Sequence, residues 1–170
     1  MSRVLRFRFP PTFHKAPAGL VPPGGTERQE FIHLPALPLR VYSPDGRGRF
    51  LRVPDALLDT GSLLSVLRKR FLGKFDAGPK IRSINHRWGT IDYVCDIHSV
   101  TLELCEDSRT TGKTWLWPAA VGFTEAPLPY DCLLGRIGFF EVFNVKFQAQ
   151  PPSVEIEAGD PFDQIGGRME

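Results

Sequence analysis

Apolar and polar positions alternate with a period of two through most of the middle of the chain. "LPLRVYS" alternates, "PDG" at Pro44–Gly46 supplies turn residues, and "RFLRVPDALLDT" continues extended, which together predict a β-hairpin. "TIDYVCDIHSVTLEL" is the longest alternating run: Ile91, Tyr93, Cys95 and Ile97 share one side, with Asp92, Asp96 and His98 opposite. Its phase shifts near His98–Ser99, where a β-bulge is expected. "TWLWPAAVGF" and "VFNVKF" predict further strands, and "SVEIE" near the end predicts an edge strand. Helical signals are short, namely "SVLRKRFLG", ended by Gly73, and "GRIGFFEVF".

Punctuation along the chain sets the domain limits. Residues 1–30 contain "PPTFHKAPAGLVPPGG", which cannot sustain a helix and reads as a Pro-rich arm. Residues 31–148 form the expected compact domain, and 149–170 a C-terminal tail. The expected fold is mainly β, a small closed barrel of mostly antiparallel strands with one or two short helices.

Composition narrows the function classes. The 170 residues are enough for one core, and 42% hydrophobic with 24% charged residues is ordinary for a soluble globular domain. A formal net charge of +2 does not call for nucleic acid or an anionic membrane as a partner. The basic run Arg68, Lys69, Arg70 and Lys74 reads as a solvated helix face. Cys95, Cys105 and Cys132 have no Cys-x-x-Cys spacing and are odd in number, so small buried hydrophobes in a reducing cytoplasm are expected. The N-terminal residues "MSRVLRFRF" lack the apolar stretch of a signal peptide, and no run is long enough to span a membrane. The dispersed His14, His33, His86 and His98 offer no metal-ligand spacing, so a zinc hydrolase is not expected. "TTGKT" at Thr110–Thr114 lacks the first Gly of a phosphate loop and reads as a hairpin turn. Trp115 and Trp117 fall on one strand face, as core residues or as the lining of a groove.

The chemistry-bearing stretch is "ALLDTGSLLSVL", residues 56–67, where an apolar strand runs straight into Asp59. A carboxylate there is costly to desolvate unless its surroundings satisfy it. Thr60 can bond backbone across the loop, Gly61 lets the backbone pass close to a neighbour, and Ser62 can donate to a carboxylate oxygen. The alternative is a turn or a helix cap, with Asp59 or Ser62 capping "LLSVLRKRF".

Downstream lies "CLLGRIGFF", residues 132–140. With "VPDALLDTGSLLSVL" before it, the chain resembles the retropepsin-like (retroviral-type) aspartic proteases over about Leu37 to Phe147. The resemblance implies an acid-protease-type barrel with one lobe per chain, and Asp59 as catalytic residue supported by Thr60, Gly61 and Ser62. It implies a backing strand through Leu133, Leu134 and Gly135, with Gly135 passing close to the loop, and a short helix opening with Gly135-Arg136. It also implies a β-hairpin flap over substrate, for which Arg87, Trp88 and Gly89 in "IRSINHRWGTIDYV" are the candidates.

No second Asp-Thr-Gly or Asp-Ser-Gly occurs, so the implied enzyme is a homodimer acting on a peptide or protein substrate, and the resemblance implies that it needs neither metal nor organic cofactor. The other implied use is a catalytically inactive dimerisation or peptide-binding module. One departure stands out: where the family carries an acidic partner for the Arg of Gly-Arg, this chain has Leu63. Asp131, Glu141 or a carboxylate of a second subunit is then the expected partner of Arg136.

Overall fold

A computed structural model describes residues 3–8, 12–13, 31–32, 35–88, 90–105, 113–128, 130–148 and 153–170. Their strands, in chain order, are β1 (Val4–Arg8), β2 (Thr12–Phe13), β3 (Phe31–Ile32), β4 (Ala36–Tyr42), β5 (Leu51–Leu58) and β6 (Val66–Arg68). There follow β7 (Lys80–Trp88), β8 (Ile91–Cys105), β9 (Thr114–Thr124), β10 (Cys132–Leu134), β11 (Phe143–Gln148), β12 (Ser153–Ala158) and β13 (Arg168–Met169). A 3-10 helix spans Lys69–Lys74, and α1 covers Asp160–Gln164.

Six of these strands close on themselves. Pairing runs β9-β6-β10-β5-β4-β8, and β8 returns to β9, so the circuit is a closed barrel, as the alternation predicts. Two junctions, β5–β10 and β6–β9, are parallel; the other four are antiparallel. Closure leaves only added strands with open edges: β7 outside β8, and β13 outside β9. No described helix is long and apolar enough to cross a membrane.

The core accounts for Trp115 and Trp117. Both are buried, with Trp115 stacked on Phe143 at 5.4 Å and Trp117 edge-on to Phe143 at 4.8 Å. The Trp117 indole N–H donates to Gly138 O at 2.9 Å, so its one polar atom is satisfied inside the core. These rings line no groove.

The chain ends also enter this core. β12 is the central strand of a three-stranded antiparallel sheet, between β1 and β11, rather than an edge. Leu5, Phe7, Val154, Ile156, Ala158 and Phe162 are buried in the same apolar cluster as the barrel strands. Residues 4–8 and 153–162 are thus part of the domain, not appendages to it; residues 14–30 of the expected arm lie outside the described residues.

Three local expectations change. Val66–Arg68 is strand rather than helix, because it is held on both sides, by β10 and by β9. Only Lys69–Lys74 coils, as a 3-10 helix. "GRIGFFEVF" forms consecutive turns rather than a helix, tied by bonds such as Phe140 N–H to Gly135 O and Glu141 N–H to Arg136 O.

The phase shift in β8 is not a bulge. Its pairing with β9 runs without a break from Cys95↔Thr124 to Cys105↔Thr114. The two halves of β8 serve different apolar clusters from opposite faces. Cys95 and Ile97 face a cluster with Leu64, Val66 and Leu133, whereas Val100, Leu102 and Leu104 face the main core. A strand that changes which side is inside reverses its alternation without an extra residue. The register irregularity lies on the β7 side instead, between Lys80 and Arg82.

Candidate active site

β5 ends at Leu58 because its parallel partner ends there too, with Leu133↔Leu57 and Leu134↔Leu58 in register. Asp59 follows, half-buried, and its N–H donates to Leu134 O at 3.0 Å, so the aspartate is still fastened to β10. The chain then turns sharply. Ser62 N–H donates to Asp59 O at 3.1 Å, and Gly61 N–H donates to the Asp59 carboxylate (Oδ1) at 2.9 Å. That bond fixes the rotamer of the carboxylate. This is an Asx-type turn. There is no helix behind it to cap, since the residues that follow are β6.

The supporting residues differ in what they do. Thr60 and Gly61 are exposed. The buried Ser62 hydroxyl donates to Leu64 O at 2.8 Å rather than to Asp59, correcting the expected donation to the carboxylate. Leu133 and Leu134 are fully buried behind the loop.

Gly135 passes directly against the backbone of the loop. A Cβ placed on it would lie 2.5 Å from both C and O of Leu64 and 2.9 Å from Ser62 O. Those atoms are backbone and cannot swing aside, so glycine is required here by space, not by φ. The two segments are then laced together. Arg136 N–H donates to Ser62 O, and Ile137 N–H to Leu63 O, both at 2.9 Å.

Ser65 escaped the sequence reading. It is fully buried within an apolar run, yet every polar atom is engaged. Its Oγ accepts from Gly135 N–H at 3.0 Å, its N–H donates to Ile137 O at 2.9 Å, and its O accepts from Gly122 N–H at 3.0 Å. Ser65 therefore joins the loop, β9 and the strand behind the loop. The one signal was a hydroxyl in the middle of "LLSVL", where a buried polar group demands partners.

Arg136 is exposed and has no ion pair among the described residues. Neither expected intrachain carboxylate serves it. Asp131 is held by Arg68 at 3.1 Å and Arg70 at 2.7 Å, and Glu141 accepts from Gly138 N–H at 2.7 Å. Leu63, beside the loop, is 61% exposed, unusually open for a leucine. The basic run is not a free cationic face: Arg68 and Arg70 meet Asp131, and Lys69 meets Asp96 and Glu125.

The flap candidates sit on the hairpin of β7 and β8. Arg87 forms a two-point ion pair with Asp92 across the strands, at 2.8 and 3.1 Å. Trp88 pairs with Ile91 in the register; its side chain, and Gly89 altogether, lie outside the described residues. The inner face of this hairpin reaches the loop's neighbourhood. Ile84 and Tyr93 pack on the cluster of Leu64, Val66, Cys95, Ile97 and Leu133, as does Leu57 just before Asp59.

The cysteines are free thiols, with Cys95 and Cys132 buried. Burial pushes the Cys95 thiol up to about 11, with Asp96 adding to it, and pushes Cys132 further in the same direction. Neither is a nucleophile at neutral pH. Among the described residues no group of three His, Cys, Asp or Glu side chains is placed to hold a metal ion. No protein-family profile matches the chain, and no curated protein matches it.

Proposed function

We propose that this chain is one subunit of a homodimeric aspartic endopeptidase, with Asp59 of each copy forming the catalytic pair. The observation that carries this reading is the Asp59 loop. It is turned by a Gly61 N–H on the carboxylate and braced from behind by a strand whose Gly135 leaves no room for a side chain. Such bracing holds a reacting group in place to within a fraction of an ångström, which is what positional catalysis requires. One chain supplies one Asp-Thr-Gly, so the second carboxylate comes from a second copy. The open Leu63, and Arg136 with no ion pair among the described residues, flank the loop and support that copy's arrival here.

Two carboxylates brought to hydrogen-bond distance cannot both ionise, so they share a proton and titrate as a pair. The ionised member takes a proton from a bound water as it attacks the peptide carbonyl. The protonated member donates to the carbonyl oxygen, giving a gem-diol with no covalent enzyme intermediate. Protonation of the leaving nitrogen then lets the tetrahedral centre collapse. The hairpin of β7 and β8 would lie over an extended peptide.

The test pairs sedimentation with cleavage. Wild type should sediment as a dimer at micromolar concentration and cleave a peptide library at acidic pH. Asp59→Asn should keep the dimer and lose cleavage by at least about a thousandfold. A strictly monomeric wild type, or equal cleavage by both proteins, overturns the proposal. Dimers of both without cleavage would instead point to a peptide-binding module.

A further inference from the structure

The hairpin of β7 and β8 divides into two parts at one residue. From Cys95 to His98 β8 is paired on both sides, to β7 and to β9, and from Thr101 to Leu104 it is paired to β4 and to β9. Before Cys95, residues Ile91–Val94 pair only with β7, opposite Asn85–Trp88. Beyond the barrel wall the hairpin is therefore a two-stranded ribbon, and Ile91 and Val94, on its two opposite faces, are 56% and 57% exposed. A ribbon of two strands without a third is marginal in water by itself. How it stands depends on its root.

At that root sits Asp96, with a side chain 14% exposed and partners from two other elements. Ser83 Oγ, directly across on β7, donates to it at 2.7 Å. Lys80 Nζ, at the start of β7 beside the register irregularity, lies 3.7 Å away. Lys69 Nζ arrives from the 3-10 helix at 3.4 Å and also meets Glu125, just past β9, at 3.7 Å. The 3-10 helix itself follows β6, whose chain leads directly from the Asp59 loop. One carboxylate thus ties both ribbon strands to the element that continues the candidate active-site loop.

We infer that Asp96 is the fastening of the ribbon: its contacts with Ser83, Lys80 and Lys69 set the angle at which residues 85–88 and 91–94 leave the barrel. On the reading of Asp59 given above, this makes Asp96 a positioning residue for closure over a bound peptide. It touches neither substrate nor the reacting atoms. The inference about the ribbon itself stands on pairing and distances and needs no enzymatic activity.

Hydrogen exchange read by mass spectrometry tests it on the full chain. Asp96→Ala should speed exchange of ribbon amides about tenfold, with the amides of β4 and of residues 115–121 in β9 unchanged. Ser83→Ala, an exposed position that the barrel tolerates, should do the same to a smaller degree, about threefold. Unchanged ribbon exchange in both variants overturns the inference, as does acceleration spread equally over ribbon and barrel in Ser83→Ala. In peptide cleavage, Ser83→Ala should raise KM several-fold with kcat within about twofold. A loosened ribbon with KM and kcat both unchanged overturns the positioning role. Absence of cleavage in the wild type would remove the enzymatic reading and leave the exchange result to decide the fastening.

Discussion

Gly135→Ala is the sharpest single test of how the candidate site is built. The added methyl would sit 2.5 Å from two backbone atoms of Leu64 and 2.9 Å from Ser62 O. Relieving that overlap requires about 1 Å of movement, and neither side is free to give it. The obstructing backbone is bonded to Arg136 and Ile137, and Gly135 N–H is bonded to Ser65 Oγ. Forcing a methyl into a close-packed site typically costs about 1–3 kcal/mol, and obstruction by backbone places this change at the upper end, about 3 kcal/mol. For a domain of this length each kcal/mol lowers Tm by about 2–4 °C, so thermal unfolding followed by circular dichroism should show a fall of about 6–12 °C. Gly73→Ala is the matched control, because a Cβ there meets nothing within 4 Å. It should stay within about 0.5 kcal/mol of wild type. A Gly135→Ala protein that melts with wild type, or no lower than Gly73→Ala, would refute the close approach and with it the bracing of Asp59.

Two further outcomes follow from packing and charge. Phe162→Ala removes a fully buried ring lying 5.4 Å from Phe143 and 6.0 Å from Trp115; urea unfolding should show a loss of about 3–5 kcal/mol, and a loss below 1 kcal/mol would mean the C-terminal segment is a tail after all. The Asp96 carboxyl is held below its ordinary range, first by the Ser83 hydroxyl and then by Lys69 and Lys80, so its contribution is fully present above about pH 4 and fades as the pH falls through the lowered folded value. The Tm difference between wild type and Asp96→Asn should therefore be constant from pH 8 to 5 and shrink towards pH 3; a difference that grows on acidification would refute the assignment.

Much of the barrel was legible because alternation reports one-sided burial, which holds for β4, β5 and the first half of β8. The errors share a physical origin in tertiary pairing. "SVLRKR" carries residues that suit a helix, but Val66 and Leu67 are claimed by strands more than fifty residues later in the chain. The reversal in β8 looked like an inserted residue because a single strand gives no hint that two cores lie on opposite sides of it. At the candidate site, Gly135 was readable because glycine after an apolar strand signals a close approach. The partners of Ser62, Ser65 and Asp96 were not, since each depends on which segment folds over the residue. Arg136 was expected to find a carboxylate, and the two intrachain candidates, Asp131 and Glu141, prove to be engaged elsewhere.

The pairing of β1 with β12 has a consequence for how the chain is made. Val4 lies opposite Glu157, and the Arg3 guanidinium donates to Ala158 O from 155 positions away. During synthesis β1 emerges long before its partner exists, and its buried side chains, Leu5 and Phe7, must wait exposed until β12 has left the ribosome. Barrel closure is subject to the same delay, since β6 can join β10 only after some sixty residues have intervened. Folding is therefore dominated by non-local contacts and should be slow. A chain truncated before Ser153 leaves an apolar strand at its amino end with nothing to cover it, and such nascent fragments should be the aggregation-prone species in cells.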